Sequence, residues 1–395
     1  MLNHWGTYRV FKRELWRLAQ QKSIRNLFII MPLVTFSLLG AIYYKGALRE
    51  IPIAVYDNDN STLSRIYIRS LEASSTFKVS HYLTSEDVIE QAFVKHHVEG
   101  IFYIPKDFHK NVLKKTPTSI QVYTNSTNIV FGNLIYRSAV QITQLVSASV
   151  LVKRMAPLGI NPSKLAGTIL PIPVNTRAIG NPQYNYSYYL IPGLSIVLLQ
   201  MIVFMAASRA FNNEWSQNSY HSLVAASKGR ISTMIFGKYV ALSVYSFGLC
   251  GFVLAILFPV FHIPIYGHIG SLALLLFLLI SANIFLGFGV SLLFKKEVIA
   301  LDLAIIYNSP AFVFSGFTFP IWAMPWFNAQ YANMIPFTHF LTGFLKIYQL
   351  DTPIHFIWPE VWKLLVFVGF AFILIIAGIT LNRTLMFPVE KKPAL

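Results

Sequence analysis

The chain has 395 residues, of which 55% are hydrophobic, 15% are aromatic and only 12% are charged. Soluble domains carry about 25% charged residues, so this composition excludes a set of ordinary soluble domains and also a disordered chain. The formal net charge of +16 would suit a nucleic-acid-binding protein, but the long apolar runs between the charges indicate a polytopic α-helical membrane protein without a nucleic-acid partner.

Six apolar stretches are long enough to cross a bilayer, because about 20 apolar residues in a helix cover about 30 Å. The first stretch lacks a small-residue cleavage site, so we interpret it as a retained span and not as a signal peptide. The predicted spans are 27–44, 188–207, 237–261, 271–294, 298–319 and 361–381. The predicted domains are a cytoplasmic amphipathic helix (1–26), the first transmembrane helix (27–44), an extracytoplasmic α/β domain (45–187), a five-helix transmembrane domain (188–382) with a re-entrant segment at about 320–345, and a cytoplasmic tail (383–395).

Lys and Arg are distributed unevenly among the short segments between the spans. Residues 1–26 carry six and 208–238 carry four, whereas 262–270 carry none. Because short basic segments stay in the cytoplasm, this pattern predicts that both termini of this multi-pass membrane protein are cytoplasmic. Long loops cross the membrane largely regardless of charge, so the basic residues of 45–187 do not oppose this orientation.

The first 26 residues combine aromatic and basic side chains at helical spacing. Trp5 and Tyr8 lie near each other, with Arg9, Arg13 and Arg17 on a neighbouring stripe. The pattern is typical of a helix lying on the lipid headgroups, although the same charges would also serve as a mere orientation signal.

The insertion after the first span alternates strand-like and helical patterns, which favours a small α/β domain. Its four histidines lack the spacing of a metal motif, and we predict no metal site there. The predicted strands are 51–57, 77–83, 99–105 and 119–125, and the predicted helices are 61–74, with Ser61 as its cap, one capped by Ser85, 107–115 and 128–154. The histidines are His81, His96, His97 and His109.

Motifs of soluble enzymes are missing from the sequence. There is no phosphate-binding loop, nucleophile elbow, zinc-protease motif or dinucleotide fingerprint. The single cysteine, Cys250, excludes an intrachain disulfide and cysteine-based metal centres. We therefore predict no catalytic, cofactor-binding or metal-binding residue in this chain, and no enzymatic activity of its own.

Four segments resemble the membrane subunits of ABC-2 type exporters, the permeases of multidrug-efflux-like systems. The resemblance covers nearly the whole chain, with one departure: NNEWSQNSYHSL (212–223) keeps Glu214 but lacks the Gly-Thr that usually follows it. The matching segments are IPIAVYDNDNSTLSR (51–65), GIFYIPKDFHKNV (100–112), NPQYNYSYYLIPG (181–193) and FSGFTFPIWAMPWFNAQYANMIPFTHFLTGF (314–344).

This resemblance implies a permease that forms half of a translocation pathway for hydrophobic or amphipathic, drug-like or lipid-like compounds. A separate ATP-binding cassette ATPase would bind ATP and Mg²⁺ and dock on the cytoplasmic face. The second half of the pathway would be another copy or a paralogue. The resemblance also implies that the protein lies in the inner membrane of a bacterium. A periplasmic membrane-fusion adaptor and an outer-membrane channel are further partners that the sequence leaves open.

The segment from Glu214 to Lys238 is the predicted receiver of the motor's movement, which requires a rigid element. Glu214 is predicted to make a charged contact either to the ATPase or to the amino-terminal helix; the alternative is a solvated interfacial acid. The predicted coupling residues are Glu214, Lys228, Arg230 and Lys238.

Polar residues and prolines within the later spans are the candidates for the pathway and its gate. Asp302 is a functional candidate because an intramembrane carboxylate is costly, and an ion pair with Lys295 or Lys296 is the alternative. Asn283 and the run Asn308, Ser309 and Pro310 are predicted to interrupt their helices, and these polar breaks either line a path or join helices. The predicted path and gate residues are Asn283, Asp302, Asn308, Pro320, Met324 and Pro336.

Three other functions compete with the exporter. A proton-coupled carrier would use Asp302, but such carriers rarely have a large domain between the first two spans. A membrane-tethered ligand sensor would not need five closely spaced spans. A membrane-embedded enzyme would need a partner acid beside His339 or His355.

Overall fold

The computed structural model describes residues 4–42, 48–125, 129–155, 181, 185–263 and 268–382. The predicted tail 383–395, the end of the predicted first span and part of the predicted outer domain (156–180) lie outside the described residues. The chain divides into two compact units, one formed by Met1–Gly46 and Ala178–Leu395 and the other by Ala47–Arg177.

The secondary structure is mostly helical. In chain order the elements are α1 (His4–Gln20), α2 (Asn26–Ile42), β1 (Ile51–Asp57), α3 (Thr62–Glu72), β2 (Phe77–Tyr82), α4 (Ile89–Lys95), β3 (Gly100–Ile104), α5 (Phe108–Lys114), β4 (Gln121–Thr124), α6 (Ile129–Met155), α7 (Tyr186–Ser208), α8 (Asn212–Ser216), α9 (Tyr220–Ser227), α10 (Ile231–Val260), α11 (Ile269–Leu293), α12 (Glu297–Asn308), α13 (Ala311–Phe314), α14 (Trp326–Asn333), α15 (Pro336–Leu350) and α16 (Trp358–Leu381).

Five helical segments of the first unit are long and apolar enough to cross a membrane. They are Ser187–Ser208, Ile231–Val260, Ile269–Leu293, Glu297–Phe314 and Ile354–Leu381. Helix α2 is apolar but shorter, so the count of six spans stays a prediction. Helix α10 begins at Ile231 and not at the predicted Gly237, and its first turns include the buried residues Thr233, Met234 and Ile235.

Helix α11 is the centre of the first unit. Most of its residues are buried, and it packs against α7, α15 and α16. Its contact with α16 is close because Gly378 has no side chain: a Cβ there would lie 2.6 Å from Cβ of Leu292 and 2.9 Å from its carbonyl carbon. Small residues allow membrane helices to approach in this way, since the lipid supplies little hydrophobic driving force between them.

The two predicted helix interruptions differ in outcome. Helix α12 ends at Asn308, and a new turn starts after Pro310, as the proline's missing N–H requires. The interruption predicted at Asn283 is wrong, because α11 continues through that residue. Asn283 keeps its backbone N–H, and its side-chain amide donates to the carbonyl of Leu279 at 2.8 Å, within the same helix.

The second unit is built on a four-stranded sheet with the strand order β2-β1-β3-β4. Strand β1 pairs in parallel with β2 and β3, and β4 is antiparallel to β3. Helices α3 and α6 contribute to one apolar cluster against the sheet, and α4 contributes to a second one. The second cluster contains Ala54 and Ile101, the first their strand neighbours Val55 and Phe102, so the two clusters cover opposite faces of the sheet.

Two helix caps are predicted in this unit, and the structure has one of them. Ser61 accepts from the backbone N–H of Ser64, and the Ser64 hydroxyl accepts from the N–H of Ser61, a reciprocal cap for α3. Ser85 makes no capping bond, and a 3₁₀ turn at Glu86–Val88 precedes α4. The predicted cap at Ser85 is therefore wrong.

The close approach of α11 and α16 can be tested at Gly378. We expect Gly378→Ala to lower the free energy of unfolding by about 1–3 kcal/mol, because the new methyl overpacks the contact with Leu292. The measurement is the thermal midpoint in detergent. The matched control is Gly369→Ala in the same helix, where a Cβ meets nothing within 4 Å; equal midpoints for the two variants would contradict this account.

Candidate functional site

Helix α1 packs lengthwise against α10 with one buried stripe. Val10, Glu14 and Leu18 are at most 2% exposed, and their spacing of four places them on one face. Trp5 and Tyr8, in contrast, are 74% and 57% exposed. The predicted helix is present, but its buried face includes an acid, which a simple apolar pattern does not indicate.

Gly237 is the point of closest approach between these two helices. A Cβ on Gly237 would lie 2.5 Å from Cγ1 of Val10 and 3.1 Å from the backbone oxygen of Thr7. The absent side chain thus brings α1 close enough to α10 for their charged side chains to meet.

The carboxylate of Glu214, on α8, is the centre of a buried charge cluster. Arg13 donates to both of its oxygens, from Nη1 to Oε1 and from Nη2 to Oε2, each at 2.8 Å. Arg17 also contacts Oε1, and the hydroxyl of Ser219 donates to Oε2. The two arginines belong to α1, so the paired charges join the first helix to the connection after α7.

Lys238 completes the cluster from α10. Its Nζ donates to Glu14 at 2.7 Å and to Glu214 at 2.9 Å, and it lies 5.5 Å from the ring centroid of Phe211. Glu14, Glu214 and Lys238 are at most 1% exposed. We call these five charged residues the charge cluster: Arg13, Glu14, Arg17, Glu214 and Lys238.

The surroundings of Glu214 keep its carboxylate ionised. Burial alone would raise the pKa of Glu214, but the charge of Lys238, the hydrogen bond from Arg13 and the charge of Arg17 outweigh it, and the pKa falls far below its usual range. Burial and the neighbouring Glu214 charge raise the pKa of Tyr220 to about 12. A buried carboxylate with several donors holds the segments that carry them together, because removing one partner leaves the remaining charges buried and unpaired.

The four predicted coupling residues form two groups. Glu214 and Lys238 are buried together, whereas Lys228 and Arg230 are exposed at the turn between α9 and α10 and make no ion pair among the described residues. The backbone there is left-handed at Lys228 and Gly229, with φ of 54° and 71°, so the turn is tight.

Sequence reasoning missed three of the five residues of the charge cluster. Arg13 and Arg17 were assigned to a basic stripe, and Glu14 was not singled out at all. A signal was present, since Glu14 is the one acidic residue among residues 1–26. A single acid in a basic helix is a candidate for a specific ion pair, but its partner lies more than 200 positions away in the sequence.

The predicted path residues Asn283 and Asn308 lie inside the helical unit. Gln200 of α7 links them: its amide donates to Asn308 Oδ1 at 3.0 Å and accepts from Asn283 at 3.4 Å. All three side chains are at most 2% exposed. Their geometry joins α7, α11 and α12, and it fits the helix-joining alternative better than a path surface. Gln200 was not predicted.

Asp302 lies apart from that group. Its side chain is exposed on α12, and no ion pair with Lys295 or Lys296 occurs in the described part of the chain. The nearby acid Glu297 pairs with Arg209 instead.

The predicted gate residues fall at the ends of short helices. Pro320 precedes a 3₁₀ turn at Ile321–Ala323, and Met324 follows that turn. Pro336 is the first residue of α15, a position where the backbone N–H that proline lacks would have no partner within the helix. The segment is held to the neighbouring helices by tyrosines. Tyr189 donates to the carbonyl of Phe317 at 2.5 Å, and Tyr307 donates to that of Met334 at 2.5 Å.

Comparison with known proteins identifies the family. The ABC-2 family transporter proteins match residues 22–377, which include α2, the whole second unit and most of α16 but not α1. The chain belongs to the ABC-2 family. With its apolar helices, it is a multi-pass membrane protein and a transporter subunit.

Two curated relatives have related descriptions. ABC transporter G family member 20 of Dictyostelium discoideum is 24% identical over 377 residues, which cover 94% of this chain and 50% of that protein. The probable multidrug ABC transporter permease YbhR of Escherichia coli K12 is 23% identical over 365 residues, 92% of this chain and 94% of the relative. The ABC-2 chain thus spans about half the length of the first relative and nearly all of the second. No solved structure matches it significantly.

Removing the charge of Glu214 should release α1. We expect Glu214→Gln to cost about 3–5 kcal/mol in the docking of α1, because Lys238 and Arg13 lose a buried counter-charge. The measurement is the rate at which trypsin cleaves after Arg9 and Lys12 in the detergent-purified protein. Glu86→Gln, an exposed acid in the other unit, is the control; equal cleavage rates would contradict the role of the cluster.

Acidification tests the same carboxyl. The pKa of Glu214 in the folded chain lies below the usual value of about 4.3. The ionised carboxylate therefore stabilises the fold fully at any pH above about 4.3, and this stabilisation is lost only as the pH falls from there toward the lower pKa of the folded chain. We expect α1 to stay protected, by hydrogen exchange, between pH 7 and pH 5. Loss of protection within that interval would contradict the assignment.

The contact at Gly237 gives an uncharged test of α1 docking. We expect Gly237→Ala to expose α1 to trypsin, since the added methyl meets Val10 and the Thr7 carbonyl. Gly248→Ala, in the same helix with nothing within 4 Å, should leave the cleavage rate unchanged. Identical behaviour of the two variants would show that the close approach is not required.

Proposed function

We propose that this chain is the membrane permease of an ATP-binding cassette exporter and that the charge cluster transmits the motor's movement to the membrane helices. The observation that carries the proposal is the bidentate pair between the buried Glu214 and the partly buried Arg13 in a chain of the ABC-2 family. It makes α1, α8 and the start of α10 one rigid body, which a motor needs if its displacement is to reach the spans.

The proposed topology has six spans. Helix α2 is the first and shortest, and the unit with the four-stranded sheet lies outside the cytoplasm. Both termini are cytoplasmic, and the membrane is the inner membrane of a bacterium. The basic residues near α1, α9 and α10 support this orientation, because short basic segments stay on the cytoplasmic side.

The proposed docking surface for the ATPase is the exposed side of α9 and the turn after it. Lys228 and Arg230 are exposed there, and the charge cluster lies directly behind. Lys238 is fully buried, so its proposed role is to fix the receiver and not to touch the motor. ATP and Mg²⁺ are bound by the ATPase, and this chain supplies no catalytic group.

The proposed cargo is a hydrophobic or amphipathic compound, and the pathway lies between this chain and a second copy or a paralogue. The apolar composition of the spans supports such a cargo, and the description of YbhR as a multidrug permease agrees with it. An adaptor and an outer-membrane channel remain optional partners. Membership of the ABC-2 family does not favour the proton-coupled carrier or the tethered sensor.

Charge reversal at the docking surface tests the partner. We expect the double substitution Lys228→Glu, Arg230→Glu to reduce the ATPase that co-purifies with the permease by at least about tenfold, since an electrostatically complementary contact becomes repulsive. The measurement is ATPase bound per permease after affinity purification of the native complex.

The control for this experiment reverses two other exposed charges, Lys295→Glu and Lys296→Glu, at the turn before α12. It should leave the amount of bound ATPase unchanged. Full retention of the ATPase by the Lys228 and Arg230 variant would contradict the proposed docking surface. Absence of any ATPase from the unmodified complex would contradict the function itself.

A further inference from the structure

The acidic residues of the apolar helical segments differ in whether they have an ionic partner. Glu297 is paired with Arg209, and Glu360 accepts from Lys346 at 2.8 Å. Asp302 has no hydrogen-bonding or ionic partner among the described residues, and its side chain is exposed. Of the three acids in the five apolar segments, Asp302 alone is therefore left to a partner outside the described chain.

The surface around Asp302 is apolar. Residues three and four positions away on a helix flank a side chain, and those of Asp302 are Val298, Ile299, Ile305 and Ile306, which are 39–68% exposed. The α12 face thus presents one carboxylate within a ring of branched aliphatic side chains.

Contact with lipid would cost the carboxylate of Asp302 a large amount of free energy. It lies five residues after Glu297, about 8 Å along the helix, and an intramembrane acid normally faces protein or a water-filled cavity. A lysine at this depth reaches the headgroups with its long stem, but aspartate has a single methylene. Asp302 therefore requires a protein or aqueous neighbour outside the described residues.

We propose that Asp302 and its aliphatic ring face the pathway between the two permease halves and bind the cationic group of an amphipathic organic cation, which makes such cations the preferred cargo. Binding sites of this kind are mostly apolar, with few charged groups that fix orientation, and a carboxylate in a dry apolar wall discriminates strongly between a cation and a neutral compound of similar shape. The inference rests on the proposed exporter function, because only a permease has a cargo.

The test compares a cation with a neutral analogue. Binding of tetraphenylphosphonium and of triphenylphosphine oxide is measured by equilibrium dialysis on the intact permease–ATPase complex in nanodiscs of phosphatidylcholine, without nucleotide. We expect the unmodified complex to bind the cation at least about tenfold more tightly than the neutral compound. Asp302→Asn should remove this preference, and Asp302→Glu should retain it.

Two controls separate the possible failures. Asp351→Asn removes an exposed acid outside the apolar ring at a left-handed position that asparagine tolerates, and it should keep the preference. Unchanged binding of the neutral compound by Asp302→Asn shows that this variant is folded.

Three results would overturn the proposal. The first is an unmodified complex without preference for the cation, and the second is an Asp302→Asn variant that keeps the preference. The third is dissociation of the two permease copies both in Asp302→Asn and in the double variant Lys295→Gln, Lys296→Gln. That result would mean that Asp302 pairs with a lysine of the second copy and does not bind cargo. All three leave the exporter function intact, since ATPase co-purification tests that function separately.

Discussion

A buried carboxylate must be neutralised, and this requirement organises the part of the molecule that we assign to coupling. Glu214 has no exposed surface, and it is stabilised by Arg13 and Arg17 from α1 and by Lys238 from α10. None of these helices can move away alone without leaving a charge in an apolar interior, which is costly. The cluster therefore makes three separate chain segments move together.

The same requirement explains why α1 is more than a membrane anchor. Its inward stripe carries Glu14, which needs Lys238, and its outward face carries exposed Trp5 and Trp16 beside basic residues. Such a face is suited to the headgroup region. Helix α1 thus joins the charge cluster to a face suited to the headgroups, and in the proposed mechanism a displacement of α8 and α9 is passed both to a span and to this surface helix.

Much of the local structure follows from sequence periodicity. The strand and helix pattern from Ile51 to Met155 and the apolar helices α7, α10, α11 and α16 match the predicted elements closely, because alternation and helical spacing are local properties. The interactions between distant segments do not. The pairing of Glu214 with Arg13 and the bridge from Gln200 to Asn308 join residues more than 100 positions apart, and only the packing of the helices brings them together.

Prediction from local sequence also fails where a polar side chain within a span finds its hydrogen-bond partners inside the protein. Asn283 looks like a helix break, but its amide bonds within α11 and to Gln200, so the helix continues. In contrast, Pro310 removes a backbone donor and does end α12. Polar residues in the spans therefore divide into those that are paired inside the unit and those, such as Asp302, that face outward.

The central claim is that this chain has no motor of its own and is moved by a separate ATPase. Its most direct test is transport in proteoliposomes that contain the purified permease with or without its ATPase. The account predicts accumulation of an amphipathic compound against its gradient only when both the ATPase and ATP are present. Accumulation by the permease alone, driven by no nucleotide, would contradict it.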